Sequence, residues 1–217
     1  MNYILGINAY HGDSSACLIL EGKLIAAVEE ERFRRIKHWA GFPTESIRYC
    51  LKEAGIELGD VEHVAINQNS KANLWRKIRF TLFERPNFGF VMDRLKNKRE
   101  RTSVREKLST FDKNLFKGEV HEIEHHYAHL SSAFHVSPFE DATVVSVDGF
   151  GDFASSAWGV GHGSEISIDE RVYFPHSLGI FYQAITQWLG FPNYGMNIKL
   201  WVLLLTEILI TWMKCIK

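Results

Sequence analysis

Short apolar runs separated by turn residues open the chain, and they predict three strands followed by a helix. The predicted strands are Tyr3–Asn8, Ala16–Leu20 and Leu24–Val28. A polar loop, AYHGDSS, follows the first strand, and a tight turn, EG, follows the second. A helix is predicted over Glu45–Ala54, because Thr44 can cap its first turn and the glycine after Ala54 can end it.

The same order of elements is predicted again from residue 143 onward. The strands Thr143–Val147, Ser155–Val160 and Ile166–Tyr173 are separated by a glycine-rich loop, DGFGD, and by a turn, GHGSE. A helix over Ser177–Leu189 follows and ends at a glycine. Two copies of strand, loop, strand, turn, strand and helix predict an α/β protein with two lobes.

The two copies also share the chemistry of their first loops. The first copy reads GDSSA from Gly12, and the second reads GD at Gly151 followed by SSA at Ser155. Two such units facing each other predict a cleft lined by one glycine-bearing loop from each lobe. Backbone N–H groups of these loops can hold phosphate oxygens, and a loop carboxylate can orient a metal or a water. The predicted cofactor-binding residues are Asp13, Ser14, Asp148, Gly149, Gly151 and Asp152.

The composition is that of an ordinary globular protein and excludes several classes. With 217 residues, 46% hydrophobic and 24% charged, the chain is neither a disordered tail nor a collagen-like rod. Its three cysteines are scattered without a CxxC pair, which indicates a reducing compartment and argues against a zinc ribbon. The N-terminal segment lacks the basic region of a signal peptide and reaches Asp13 too early for one, so a cytoplasmic protein is expected.

Charge is distributed unevenly along the chain. The net charge is -1, but the stretch from residue 71 to 118 holds 14 Lys and Arg against 5 Asp and Glu. Apolar positions within it predict helices with solvated basic faces, so a surface helical insertion in the first lobe is expected. A platform for a polyanionic or nucleotide-like substrate is the alternative, although the charge density is too modest to predict a nucleic-acid partner.

Five of the ten histidines fall between residues 121 and 135, and two metal-binding patterns overlap there. HEIEH, from His121 to His125, fits the zinc-protease pattern with Glu122 as the base. HHYAH instead places His125 and His129 one helical turn apart, which also suits two metal ligands. The choice depends on whether the helix starts before or after the segment from 119 to 124, and the pattern itself leaves both possibilities open.

Five motifs in one order resemble the O-carbamoyltransferase family of nodulation-factor and antibiotic-tailoring enzymes. They are LGINAYHGDSSACLI, AVEEERFRRIKHWAGFP, EHHYAHLSSAFHVSPF, VVSVDGFGD and HSLGIFYQAITQWLGF. The resemblance runs from Ile4 to Gly195. It implies an actin-like (ribonuclease-H-like) two-lobed fold, with the first lobe over residues 1–140 and the second starting at 141–195 and incomplete. It further implies transfer of a carbamoyl group from carbamoyl-adenylate to a hydroxyl of a small-molecule or saccharide acceptor.

The resemblance also implies roles for particular residues. His125 and His129 are expected to bind an active-site divalent metal, iron, which favours HHYAH over HEIEH. His11 and Lys37 are expected to be catalytic and to line the carbamoyl and phosphate site. The loop from Asp148 to Asp152 is expected to belong to the second lobe. In the family, a separate C-terminal domain makes the adenylate from ATP and carbamoyl phosphate, and that domain is absent from this chain.

Three other functions stay open at this point. A tRNA threonylcarbamoyl transfer protein would share the fold and the paired histidines. A zinc protease would use His121, Glu122 and His125. A non-catalytic fragment is the third possibility, because the family's lobe continues well beyond the motifs found here.

The last 22 residues, 196–217, form an apolar tail unlike the rest of the chain. Between Lys199 and Lys214 lie 14 residues interrupted by Glu207, against about 20 needed to span a bilayer, so no membrane partner is expected. The family continues after PNYG with a segment like DEYKVMGLAPYG. Permitted codons for residues 196–207, read with one added G, encode that segment. A one-base loss after the codon of Gly195 is therefore expected, and resequencing of the locus would test it.

Overall fold

The computed structural model describes residues 2–84, 104–111, 116–193, 195–198 and 202. The chain forms two compact units, residues 1–128 and 129–217. The predicted lobe boundary, after residue 140, lies twelve residues beyond this division. Both units combine strands and helices, so the predicted α/β class is confirmed.

A five-stranded sheet forms the centre of the first unit. Its strands are β1 (Tyr3–Asn8), β2 (Ser15–Leu20), β3 (Lys23–Glu29), β4 (His63–Ile66) and β5 (Glu119–Glu122). They are arranged in the order β3-β2-β1-β4-β5. The first three pair antiparallel, whereas β4 and β5 run parallel to β1. The sheet therefore begins as the predicted meander and is extended by two later strands.

Four α-helices lie in the described residues of the first unit. They are α1 (Glu31–Arg34), α2 (Thr44–Ala54), α3 (Leu74–Phe83) and α4 (Val104–Phe111). Helix α2 begins one residue before its predicted start and ends, as predicted, at a glycine with positive φ. Helices α3 and α4 both lie in the basic stretch, as predicted, whereas residues 85–103 and 112–115 lie outside the described residues.

The core of the first unit lies between α2 and one face of the sheet. Buried side chains alternate along β1 and β4, as expected for strands with one covered face. Ile47 and Cys50 project from α2 onto this face and are fully buried. Leu108 of α4 is also fully buried in the same core, and Val104 and Phe111 of this helix pack against it.

A helix and a three-stranded antiparallel sheet open the second unit. The helix α5 (His125–Phe134) crosses the division between the units, and the strands are β6 (Asp141–Gly151), β7 (Ala154–His162) and β8 (Glu165–Tyr173). Helix α6 (Leu178–Trp188) follows. Its N-cap is Ser177, whose hydroxyl accepts a hydrogen bond from the N–H of Ile180. The second predicted copy of the repeated unit is therefore present.

The prediction that the segment DGFGD forms a glycine-rich loop after the first strand of this copy is wrong for most of the segment. Residues 148–151 continue strand β6, and Gly151 pairs with Ala154 of β7 after an irregularity in the register. The turn is confined to Asp152 and Phe153, both of which have positive φ. Asp-Gly is common turn chemistry, but here the strand continues through it, and the register with β7 resumes at Gly151.

The predicted tail falls largely outside the described residues, which include only 196–198 and 202 of it. Within the described ranges, each helix is too short or too polar to cross a lipid bilayer.

Candidate functional site

The loop between β1 and β2 is held by a second loop of the first unit. The N–H groups of Tyr10 and Ser14 donate to the carbonyl oxygens of Gly41 and Trp39, at 3.1 and 2.9 Å. The Ser14 hydroxyl, which is fully buried, accepts from the N–H of Gly41 at 3.1 Å. Ser14 therefore anchors the loop, and its predicted role in binding a cofactor stays a prediction.

Asp13 projects from this loop toward a histidine that the sequence did not single out. Its Oδ1 lies 2.9 Å from Nδ1 of His38. Both residues have positive φ, so the two loops present this pair at sharp turns. Lys37, the predicted catalytic lysine, is exposed on the neighbouring position. His38 could have been found only from the pairing of the two loops, because 25 residues separate it from Asp13.

The predicted residues His11 and His125 come together within the first unit. Their ring centroids lie 5.5 Å apart, and His125 is nearly buried. The ring of His126 contacts His125 edge-on and is itself fully buried. His126 therefore packs in the interior. His11, in the loop between β1 and β2, lies beside His125.

A carboxylate decides where α5 begins. Oε2 of Glu124 accepts a hydrogen bond from the N–H of Tyr127 at 2.9 Å, which caps the first turn of the helix. Before this cap the chain is extended, because the N–H of Ile123 still donates to the carbonyl of Ile66 on the neighbouring strand. The helix therefore starts at His125 and not before.

This start overturns the zinc-protease interpretation of HEIEH. His121 and Glu122 lie on strand β5, whereas His125 is the first residue of α5. The protease pattern requires both histidines on one face of one helix. His125 and His129 do share a helix, one turn apart, as the HHYAH pattern predicted.

Within the second unit, His129 meets Asp148 of strand β6. Nε2 of the histidine lies 3.6 Å from Oδ2 of the aspartate, and both side chains are half-exposed. The other carboxylate oxygen of Asp148 accepts from the N–H of Gly149 at 2.6 Å. That bond orients the carboxylate and leaves Oδ2 directed at the imidazole.

The N-terminus of α6 holds the Asp148 segment in place, a contribution that the sequence analysis missed. The Ser177 hydroxyl lies 3.1 Å from the carbonyl of Asp148 and 2.8 Å from that of Gly149. A Cβ on Gly179 would fall 2.4 Å from the same Asp148 carbonyl, so only glycine permits this approach. Gly151 and Asp152, which were predicted with Asp148, lie further along at the end of β6 and in its turn.

A buried carboxylate fixes the segment that leads to Lys37 and His38. Glu30 is fully buried and accepts hydrogen bonds from the Ser46 N–H and hydroxyl at 2.9 Å and from Nε of Arg34 at 2.7 Å. Burial alone raises the pKa of Glu30, but the hydrogen bonds from Ser46, Arg34 and Glu45 outweigh it and lower the pKa below its ordinary value. Glu30 is therefore ionised at neutral pH and caps α2.

The donor set fits a transition metal. Two imidazoles one turn apart on α5 and a carboxylate oxygen beside the second are nitrogen and oxygen ligands of the kind that iron and zinc accept. Within the second unit, His129 and Asp148 offer two such ligand atoms, and His125 lies one turn before His129 on the same helix. The sequence predicted the two histidines as ligands and placed Asp148 only in a cofactor loop.

The fold and these side chains define a mixed α/β protein with a histidine- and carboxylate-rich site at the start of one helix. The chain belongs to the carbamoyltransferase N-terminus family, whose model matches residues 3–206.

Two curated relatives agree with this assignment. Protein sll1178 from Synechocystis sp. is 36% identical over 208 residues, which cover 92% of this chain and 34% of the relative. Nodulation protein NolNO from Sinorhizobium fredii is 34% identical over 192 residues, which cover 87% of this chain and 26% of the relative. The chain thus spans about a third or less of the length of these relatives.

Solved structures with a similar arrangement include YeaZ from Pseudomonas aeruginosa and a ROK hexokinase from Thermus thermophilus. The first has a TM-score of 0.45 at 14% identity and covers 81% of this chain and 68% of its own. The second has a TM-score of 0.40 at 13% identity, with coverage of 78% and 49%. Both scores are low, so the description of the fold rests on the strands and helices given above.

Proposed function

We propose that this chain carries the metal-dependent part of a carbamoyl-transfer site, in which His125, His129 and Asp148 hold a divalent metal such as iron. The donor is carbamoyl-adenylate, and the acceptor is a hydroxyl group of a small molecule or saccharide. Membership of the carbamoyltransferase family supports the reaction class. The contact between His129 and Asp148 is the single observation that carries the site.

The proposed reaction exchanges one C–O bond for another. The acceptor oxygen forms a bond to the carbamoyl carbon, the bond from that carbon to the phosphate oxygen breaks, and AMP leaves with the electron pair. The hydroxyl proton must pass to a base. A bound divalent metal supplies a positive charge that stabilises the negative charge developing on the carbamoyl or phosphate oxygens.

The residues of this chain have separate tasks in the proposal. The loop between β1 and β2 brings His11 next to His125. The imidazole of His11 is therefore the candidate acceptor of the hydroxyl proton. Lys37 is exposed and cationic, which suits it to meet a phosphate that arrives from solvent. The contact between Asp13 and His38 fixes the turn next to Lys37. Gly149 keeps the backbone of the second-unit segment accessible, since its Cβ position is nearly open.

The test measures release of AMP from carbamoyl-adenylate by the purified chain, with and without Fe²⁺. We expect Fe²⁺-dependent release, because water can replace the acceptor, and loss of about 100-fold or more in His129→Ala, which removes a metal ligand. His135→Ala is the matched control, because this histidine is also exposed and lies beyond the end of α5. Equal rates for wild type and His129→Ala would reject the proposal.

A further inference from the structure

We infer that His63, Glu119 and His121 form a second metal site, selective for zinc-like divalent cations, on the sheet of the first unit. All three residues lie on the adjacent parallel strands β4 and β5. They are distinct from His125, His129 and Asp148, and carbamoyl transfer as proposed above does not use them. The inference therefore stands independently of the proposed function.

The register of the two strands places these side chains on one face. His63 pairs with Glu119, and Ala65 pairs with His121. Side chains at paired positions of parallel strands point to the same side, and positions two apart along a strand do so as well. Val64 of β4 lies in the hydrophobic core, so the alternate positions occupy the opposite face of the sheet, away from that core.

The ligand atoms lie close to the spacing that a small cation requires. Nδ1 of His63 is 3.0 Å from Nε2 of His121, and their ring centroids are 5.0 Å apart. The same Nε2 lies 3.9 Å from Oε2 of Glu119, and one ligand atom from each residue lies within 4.8 Å of the others. A tetrahedral zinc ion with ligands at about 2.0–2.1 Å places them about 3.4 Å apart, so small side-chain rotations suffice.

The donor chemistry selects the class of cation. Two imidazole nitrogens and one carboxylate oxygen suit Zn²⁺, Ni²⁺ or Cu²⁺, whereas Mg²⁺ and Ca²⁺ prefer oxygen ligands alone. Glu119 and His121 are exposed and His63 is half-buried, so an ion can reach the site from solvent with little rearrangement. Water would complete the tetrahedron.

A bound ion would join β4 to β5, which lies at one edge of the sheet. His121 lies four positions before His125, the first residue of α5. Fixing β5 therefore also fixes the strand that leads into this helix. Because an ion binds the folded arrangement of strands and not the unfolded chain, zinc should raise the melting temperature of the protein.

The experiment titrates the full chain with Zn²⁺ and measures binding by calorimetry. Thermal melting is then recorded with and without zinc. The parent protein is His129→Ala/Asp148→Asn, which weakens the other candidate site and leaves every residue of β4 and β5 unchanged. We expect it to bind one equivalent of zinc and to melt at a higher temperature when zinc is present. Adding His63→Ala and His121→Ala should raise the Kd at least about tenfold and remove the thermal shift, because direct ligands are lost.

Two further variants separate metal binding from folding. Glu119→Gln keeps the size of an exposed side chain but removes its charge, so it should weaken zinc binding while the metal-free protein melts as the parent does. His135→Ala in the same parent should bind zinc unchanged. The inference is overturned if the parent binds no zinc, or if the His63→Ala/His121→Ala variant binds it with the parent's stoichiometry and affinity.

Discussion

Single carboxylates determine where two helices of this protein begin. Glu124 caps α5, and Glu30, far from α2 in sequence, accepts from the N–H groups of Ser46 and Glu45 in its first turn. We predicted Thr44 as the cap of α2, but it is the first helical residue. A residue 16 positions away does the capping, and no local pattern indicates such a contact.

The buried Glu30 gives the stability of the first unit a pH dependence. Its pKa is lowered in the folded state, so its contribution is present above the unfolded value of about 4.5 and is lost as the pH falls through the folded pKa. Glu30→Gln should therefore be less stable than wild type by about 1–3 kcal/mol at pH 7. The difference should shrink at acid pH.

Urea denaturation of wild type and Glu30→Gln between pH 7 and pH values below 4.5 measures this difference. Glu53→Gln, a change at an exposed position later in α2, is the control and should show little difference at either end of the range. If the difference in the free energy of unfolding between wild type and Glu30→Gln grew toward acid pH, Glu30 would not be ionised in the folded state.

Ser177 joins the cap of α6 to the segment that carries Asp148. Replacement by alanine removes the acceptor for the N–H of Ile180 and the contacts to the two carbonyl groups of that segment. We expect a loss of about 1–2 kcal/mol in the free energy of unfolding, as for other helix caps. Ser109→Ala, which removes an exposed hydroxyl bonded only within its own helix, should cost less than about 0.5 kcal/mol. Equal losses would show that the Ser177 contacts do not stabilise the fold.

The apolar patterns predicted the positions of the strands better than their lengths. Strand β1 has the predicted bounds Tyr3–Asn8, and the remaining strands of the two meanders appear where they were predicted, with ends shifted by at most four residues. The larger shift belongs to β6, which continues through Gly151. Its last residues carry turn-forming chemistry, yet the strand continues through them. Gly151 pairs with Ala154 of β7, and Gly179 of α6 closely approaches the carbonyl of Asp148.

The close approach of α6 to β6 can be tested at Gly179. Gly179→Ala places a Cβ 2.4 Å from the backbone of Asp148, so the strand end or the helix must shift. We expect a loss of about 1–3 kcal/mol, as for other overpacked sites. Thermal denaturation measures it. Gly149→Ala serves as the matched control, because its Cβ would meet Ile180 at an ordinary 3.6 Å, and a loss as large as that of Gly179→Ala would contradict the packing described here.

For the whole molecule, the order of five motifs predicted the family, which the match over residues 3–206 confirms. Clusters of side chains from segments far apart in the chain could not be predicted from the sequence. His63 and His121 are 58 residues apart and meet only because β4 and β5 are neighbours in the sheet. His125 and His129 could be predicted because a helix fixes the spacing of residues four apart.

We propose that α5 and β6 together hold the metal on which carbamoyl transfer depends. Crystals of the chain grown with Fe²⁺ under anaerobic conditions, measured at the iron absorption edge, locate the metal directly. We expect an anomalous difference peak bonded to His125, His129 and Asp148 in wild type, and its loss in His129→Ala. Iron bound elsewhere, or a peak at these residues that persists in His129→Ala, would contradict it.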